Sequence, residues 1–205
     1  MQKTILTKPV PVCAYTLITL FLAGPRVGAN IAVDTTAPTV TPSHSELRFE
    51  SNVGQFDAAV DFVARGKGYS VALRPQPEIT LRRISDDSNG SSEFVRLAIS
   101  INDMDTSVTP QAVGKSAAHT NYLLGKPEDW LTDVPNFSRV RYPAILPNVD
   151  VEYYGNDGRL EYDFVVHPGG DPDALRLRFG GADAVRIGGN GELIIVLDGR
   201  EIVQS

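Results

Sequence analysis

The stretch Val149–Val166, VDVEYYGNDGRLEYDFVV, decides how the chain is read. Two runs of alternating apolar and polar residues flank Asp157-Gly158, a pair that favours the twisted two-residue turn of a β-hairpin. With the turn placed there, Val151 falls opposite Phe164 and Tyr153 opposite Tyr162, making one apolar face. The other face sets Glu152 opposite Asp163 and Tyr154 opposite Glu161, with Asp150 close by. Directly opposed carboxylates are unfavourable by up to about 1 kcal/mol, so a counter-charge is expected. Arg139 and Arg141 alternate on the run just before. They predict an arginine–carboxylate ladder on the wet face of a sheet. Asp150, Glu152, Glu161 and Asp163 are also the candidate ligands for a metal, because Ca²⁺ takes carboxylate oxygens. A paired-carboxylate glycosidase site would need a sugar cleft between two acids, which a flat hairpin face does not supply.

The same alternation recurs along the chain. Val60–Ala64 and Tyr69–Leu73 flank Arg65-Gly66-Lys67-Gly68, a second hairpin signal. Further short strands are expected at Ile79–Leu81, Phe94–Ile101, Thr120–Leu124, Phe137–Tyr142, Leu175–Phe179 and Leu193–Leu197, with a polar loop at Asp86–Ser92. Window by window, the apolar residues do not follow the 3.6-residue period of a long helix, and Pro and Gly recur too often for one. A helical turn fits only Pro127–Leu131, where Pro and then acids open the segment. Many short strands separated by turns predict an all-β fold, an antiparallel β-sandwich-like module with little helix.

The chain has 205 residues, 42% hydrophobic and 21% charged, an ordinary globular balance. Residues 1–29 read as a signal peptide. Lys3 and Lys8 precede the apolar run Ala14–Gly24, and Val27-Gly28-Ala29 offers small residues for cleavage. That run is shorter than the roughly 20 residues a bilayer span needs, so no membrane span is expected in the mature chain. Residues 30–45, rich in Thr, Pro and Ser, read as a flexible linker. The domain then occupies 46–205, and the protein is expected to be exported: secreted, periplasmic or at the cell surface. The single cysteine, Cys13, lies in the leader, so the mature chain has no disulfide and no cysteine metal site. Cleavage after Ala29 would leave 16 basic against 25 acidic residues, a net charge of −9. That excludes the basic stripe of a nucleic-acid-binding protein and disfavours anionic lipid.

Other motifs fail on spacing. Gly114-Lys115-Ser116 imitates the end of a phosphate-binding loop, but Thr109 stands where the first Gly belongs. Asp103-Met104-Asp105 opens like an EF-hand loop, but Val108 replaces its Gly and Gly114 its closing Glu. His44, His119 and His167 are far apart and in no ligand spacing, and the nucleophile elbow Gly-x-Ser-x-Gly is missing. Trp130 and the tyrosines Tyr122, Tyr142, Tyr153, Tyr154 and Tyr162 fit a β core or, alternatively, a sugar-stacking platform.

Five segments taken in order carry a resemblance. They are Phe49–Gln55 (FESNVGQ), Ala64–Tyr69 (ARGKGY), Asn121–Gly125 (NYLLG) with Trp130, Val134–Tyr142 (VPNFSRVRY) and Val149–Pro172. Over about residues 46–204 the chain resembles the N-terminal β-rich domain, of unknown function, of bacterial exported proteins that carry SBBP-type β-propeller repeats. The resemblance implies a non-enzymatic structural or interaction module with no cofactor, whose partners would be protein or carbohydrate at the cell surface. It implies no catalytic residues. This chain has no propeller repeats, and its similarity stops where relatives continue with further strands. The 46–205 domain is therefore expected to be truncated at its C-terminal end. A carbohydrate- or calcium-binding module is the alternative.

Overall fold

The computed structural model describes residues 4–6, 16–21, 47–84 and 92–204. They form fifteen strands and two single 3-10 turns. The strands are β1 (Thr4–Leu6), β2 (Thr16–Phe21), β3 (Phe49–Ser51), β4 (Phe62–Gly66), β5 (Tyr69–Leu73), β6 (Glu78–Ile84), β7 (Ser92–Ile101), β8 (Gln111–Tyr122), β9 (Leu131–Leu146), β10 (Val149–Asn156), β11 (Arg159–Val166), β12 (Arg176–Gly180), β13 (Ala184–Ile187), β14 (Leu193–Leu197) and β15 (Arg200–Gln204). The fold is all-β and antiparallel, as the alternation predicts. The larger sheet runs β1-β12-β7-β6-β5-β4-β3-β9-β10-β11-β2, with β8 on β9 outside that path, and it curls into a half-barrel. The smaller sheet is β13-β14-β15.

The hairpin register is the one the sequence predicts. Val151 pairs with Phe164, Glu152 with Asp163, Tyr153 with Tyr162 and Tyr154 with Glu161. Asp157 (φ 49°) and Gly158 (φ 73°) both take the left-handed conformation, as a two-residue primed turn requires. The second hairpin also holds, with Arg65 opposite Ser70 and Gly66 opposite Tyr69. Gly114-Lys115-Ser116 lies inside β8, so it is ladder and not a phosphate loop. In the would-be EF-hand segment, Asp105 Oδ1 accepts from the backbone and hydroxyl of its own neighbour Ser107.

Two segments differ from expectation. Of Thr120–Leu124 only Thr120–Tyr122 is strand, the end of one that begins at Gln111, and Phe137–Tyr142 is the middle of the 16-residue β9. β8 is largely exposed on both faces, so it has no apolar alternation to betray it. Its pairing with β9 shifts register between Lys115 and His119 and again between Thr120 and Tyr122. Such bulges twist an edge strand and discourage sheet-to-sheet association. The expected signal peptide overlaps β1 and β2; its other residues, the linker 30–45 with His44, and most of the loop Asp86–Ser92 lie outside the described residues.

The core is organised by a row of rings across three adjacent strands. Tyr142 meets Tyr153, Tyr153 meets Tyr162, and Tyr162 meets Phe164, at centroid separations of 6.0, 6.0 and 5.8 Å. All four are buried. Each such contact adds about 0.5–1.5 kcal/mol beyond area burial. Buried phenols need partners, and two find them far along the chain. The Tyr142 hydroxyl donates to Asp61 Oδ2 (2.9 Å), and the Tyr162 hydroxyl to Gln204 Oε1 (3.3 Å), which brings β15 and the smaller sheet over this core. Leu193, Ile195 and Leu197 of β14 join the same apolar cluster. The curl is fastened by Tyr69 of β5, whose hydroxyl donates to Gly158 O in the hairpin turn (3.1 Å).

Asn52 shapes the loop after β3. Its Oδ1 accepts from Gly54 N (3.1 Å) and Phe56 N (3.2 Å), and its Nδ2 donates to Asp57 O (2.9 Å) and Val60 O (2.8 Å). Asn52→Ala removes these bonds and leaves backbone groups short of partners. It is expected to lower stability by about 2 kcal/mol, read as a lower urea midpoint at unchanged m-value.

Candidate functional site

The acidic face of the β10–β11 hairpin is where the sequence places chemistry, and its carboxylates have the following partners. Asp150 sits in a bulge, where the β9–β10 register shifts between Val149 and Val151. Its Oδ1 accepts from Ala144 N (2.6 Å), and Ala144 is itself left-handed (φ 50°). Its Oδ2 accepts from both Nε (3.0 Å) and a terminal nitrogen of Arg141. His167 Nε2 lies 2.5 Å from the same oxygen. Asp150 therefore braces a strained bend in β9 and ties it to the end of β11. Glu152 forms an ion pair with Arg139, whose guanidinium also stacks 4.7 Å over the Tyr154 ring. Glu161 accepts from Asn156 Nδ2 (2.8 Å), and the Tyr154 hydroxyl hydrogen-bonds with Asp163 and Glu161.

The expected arginine ladder is present, with Arg139 on Glu152 and Arg141 on Asp150. The face itself is not wet, which corrects the expectation. Asp150, Glu161 and Asp163 are only 3%, 3% and 4% exposed. β11 also has β2 alongside it, six residues paired from Glu161–Phe21 to Val166–Thr16. Burial of charge is tolerated here because most of these oxygens have donors. Asp163 Oδ1 is the exception: it is buried and without a partner.

Burial alone would push the Asp150 carboxyl up. The hydrogen bonds from His167, the Ala144 amide and Arg141 outweigh it and hold the group below the usual carboxylate range. Burial pushes the Tyr154 hydroxyl up, and the facing carboxylates push it further. Among the described residues no group of three or more His, Cys, Asp or Glu converges as a metal site.

Sequence reasoning missed two constellations. The first is Asp150 with His167, whose 17-residue separation carries no motif. The second joins three of the resembling segments: Glu50 accepts from Arg65 and Tyr122, Arg65 donates to the Tyr122 hydroxyl (2.9 Å), and Phe56 meets Tyr122 edge-on at 5.9 Å. Asn136 of a fourth segment lies beside it, donating to Thr120 Oγ1 (3.0 Å). The tyrosines proposed as a stacking platform divide: Tyr142, Tyr153 and Tyr162 are core, whereas Trp130 is 41% exposed. A groove of about 530 Å³ lies beside the Asn52 loop, lined by Phe56, Asp61 and Pro110 among others, away from the acidic hairpin. Among the described residues no helix is long and apolar enough to cross a membrane.

Arg141→Met leaves Asp150 buried with half its donors gone and is expected to cost about 3–5 kcal/mol, measured by urea denaturation at neutral pH. The Asp150 carboxyl is lower in the folded than in the unfolded chain, so its contribution is present above about pH 4, the unfolded value, and is lost as pH falls through the folded one. Asp150→Asn is expected to lose less stability than the parent between pH 5 and pH 2.

A family model described as a domain of unknown function (DUF7948) matches residues 49–205. No curated protein and no solved structure matches the chain.

Proposed function

The chain belongs to the DUF7948 family, and we propose that it is a non-enzymatic exported module with a structural and interaction role in a cell-surface or secreted β-propeller-repeat protein. The observation that carries this reading is the tip of the β8–β9 arm. Leu123, Leu124 and Trp130 are 56%, 73% and 41% exposed there, on the short connection that contains the 3-10 turn Pro127–Asp129. Large apolar side chains exposed together on one connection mark a contact surface. The carboxylates that suggested chemistry are mostly engaged by their own sheet neighbours, the expected state of groups that hold a fold. In this reading the smaller sheet, laid over the β9–β11 core, makes the layering sandwich-like.

The partner is a protein surface with an apolar recess. A charged tip is expected to abolish that contact without unfolding the domain, because Leu124, 73% exposed, buries little within the chain. The change Leu124→Asp should alter stability by less than about 0.5 kcal/mol. It should also lower the fraction of exported protein retained on washed cell envelopes. Retention equal to the parent's would remove the tip from the interaction.

The calcium-binding alternative is favoured by one observation, the unpartnered Asp163 Oδ1. Calorimetric titration with Ca²⁺ decides between the two. The structural reading expects no binding heat and an unchanged melting temperature, while the alternative expects both to respond and Asp163→Asn to cancel the response.

A further inference from the structure

We propose that the outer edge of β11, Glu161–Val166, is a strand-accepting site that binds an extended peptide in antiparallel register. Its ligand is a strand with apolar residues at alternate positions and a hydrogen-bond donor between them. That the ligand comes from a partner protein rests on the export reading, in which the segment that now fills the site is removed.

Two independent observations carry the proposal. The first is the seat itself. β11 closes the path of the larger sheet except for Thr16–Phe21, which pairs with it over six consecutive residues. The register sets Leu20 opposite Tyr162, Ile18 opposite Phe164 and Thr16 opposite Val166. Those three β11 side chains are buried and belong to the core, so a strand seated here continues the apolar face of the sheet. The second is Asp163. It is 4% exposed, and its Oδ1 has no hydrogen-bond partner. A buried acceptor without a donor costs about 1–3 kcal/mol. The residue in register with Asp163 is Thr19, and Oδ1 has no donor even with that residue in place, so the seat suits a longer donor side chain at this position. The seat therefore specifies both a backbone direction and a side-chain pattern.

The first 21 residues also supply β1, which pairs with β12 at the opposite end of the sheet path. One short segment thus covers both edges of the larger sheet. Export with cleavage near Ala29 uncovers both, and an uncovered edge takes another strand by main-chain hydrogen bonding. The β11 edge is the stronger acceptor, with six paired residues against three at β12.

The test uses the full chain and hydrogen exchange at the β11 amides that face β2. In the parent these amides are expected to be protected. Ile18→Pro removes a ladder donor from the middle of β2 and should raise their exchange about tenfold or more. A lysine-flanked TLITLF peptide added in excess should restore protection, and the same peptide with Pro in place of its Ile should not. If Ile18→Pro fails to fold, Ile18→Gly should give a smaller rise in the same direction and the same rescue. Unprotected amides in the parent, exchange unaffected by either substitution, or failure of the peptide to restore protection would each overturn the strand-accepting site. N-terminal sequencing of the exported protein tests the export reading separately. An intact N-terminus would overturn the partner-supplied ligand and leave the site as the seat of the chain's own β2.

Discussion

Buried tyrosines constrain this fold more than any charge does. Tyr142, Tyr153 and Tyr162 stand side by side on β9, β10 and β11, and Phe164 extends the row. Their rings reward burial, but a phenol hydroxyl in an apolar interior needs a partner. Tyr142 reaches Asp61, 81 residues away in the chain, and Tyr162 reaches Gln204, 42 residues away. Those two bonds locate the loop before β4 and the last strand of the smaller sheet against the same core. The row thus does two jobs. Its faces join three strands, and its polar ends fix which distant segments lie over them.

The charges on the opposite face follow from the same pleat. Once Tyr153 points inward, Glu152 and Tyr154 must point outward, opposite Asp163 and Glu161. The repulsion this creates is relieved by the neighbouring strand, whose register puts Arg141 opposite Glu152 and Arg139 opposite Tyr154. Arg139 then serves two groups at once, an ion pair with Glu152 and a stack on the Tyr154 ring. Asp150 has another task. Ala144 is left-handed without being glycine, and its amide is held by Asp150 Oδ1. A carboxylate that accepts from a strained backbone and from an arginine is part of the architecture of a bend.

Much of this was legible before the structure. The hairpin register came from alternation and a two-residue turn, both local, and it held residue for residue. The arginine ladder was legible because its members are neighbours in sequence or across one strand. What escaped was non-local or unpatterned. β8 has almost no buried positions, so a period of two could not reveal it. His167 meets Asp150 only because a bulge and a strand end coincide. The burial of Asp150, Glu161 and Asp163 escaped because alternation assigns a residue to a face and says nothing of what covers that face.

The segments that mark the family-like pattern are brought together by the fold. Glu50, Arg65 and Tyr122 come from three of them, and Asn136 from a fourth sits alongside. Asn52 belongs to the first and builds its loop, and Gly158 and Asp150 belong to the last. Their donors and acceptors are directed at one another rather than into a common cavity. A catalytic constellation aims its groups at a shared point where a reacting atom can sit. These groups are instead paired off across strand junctions, so these segments record how the strands are joined. Outside those junctions lie the exposed Leu123, Leu124 and Trp130 and the pairing of β11 with β2.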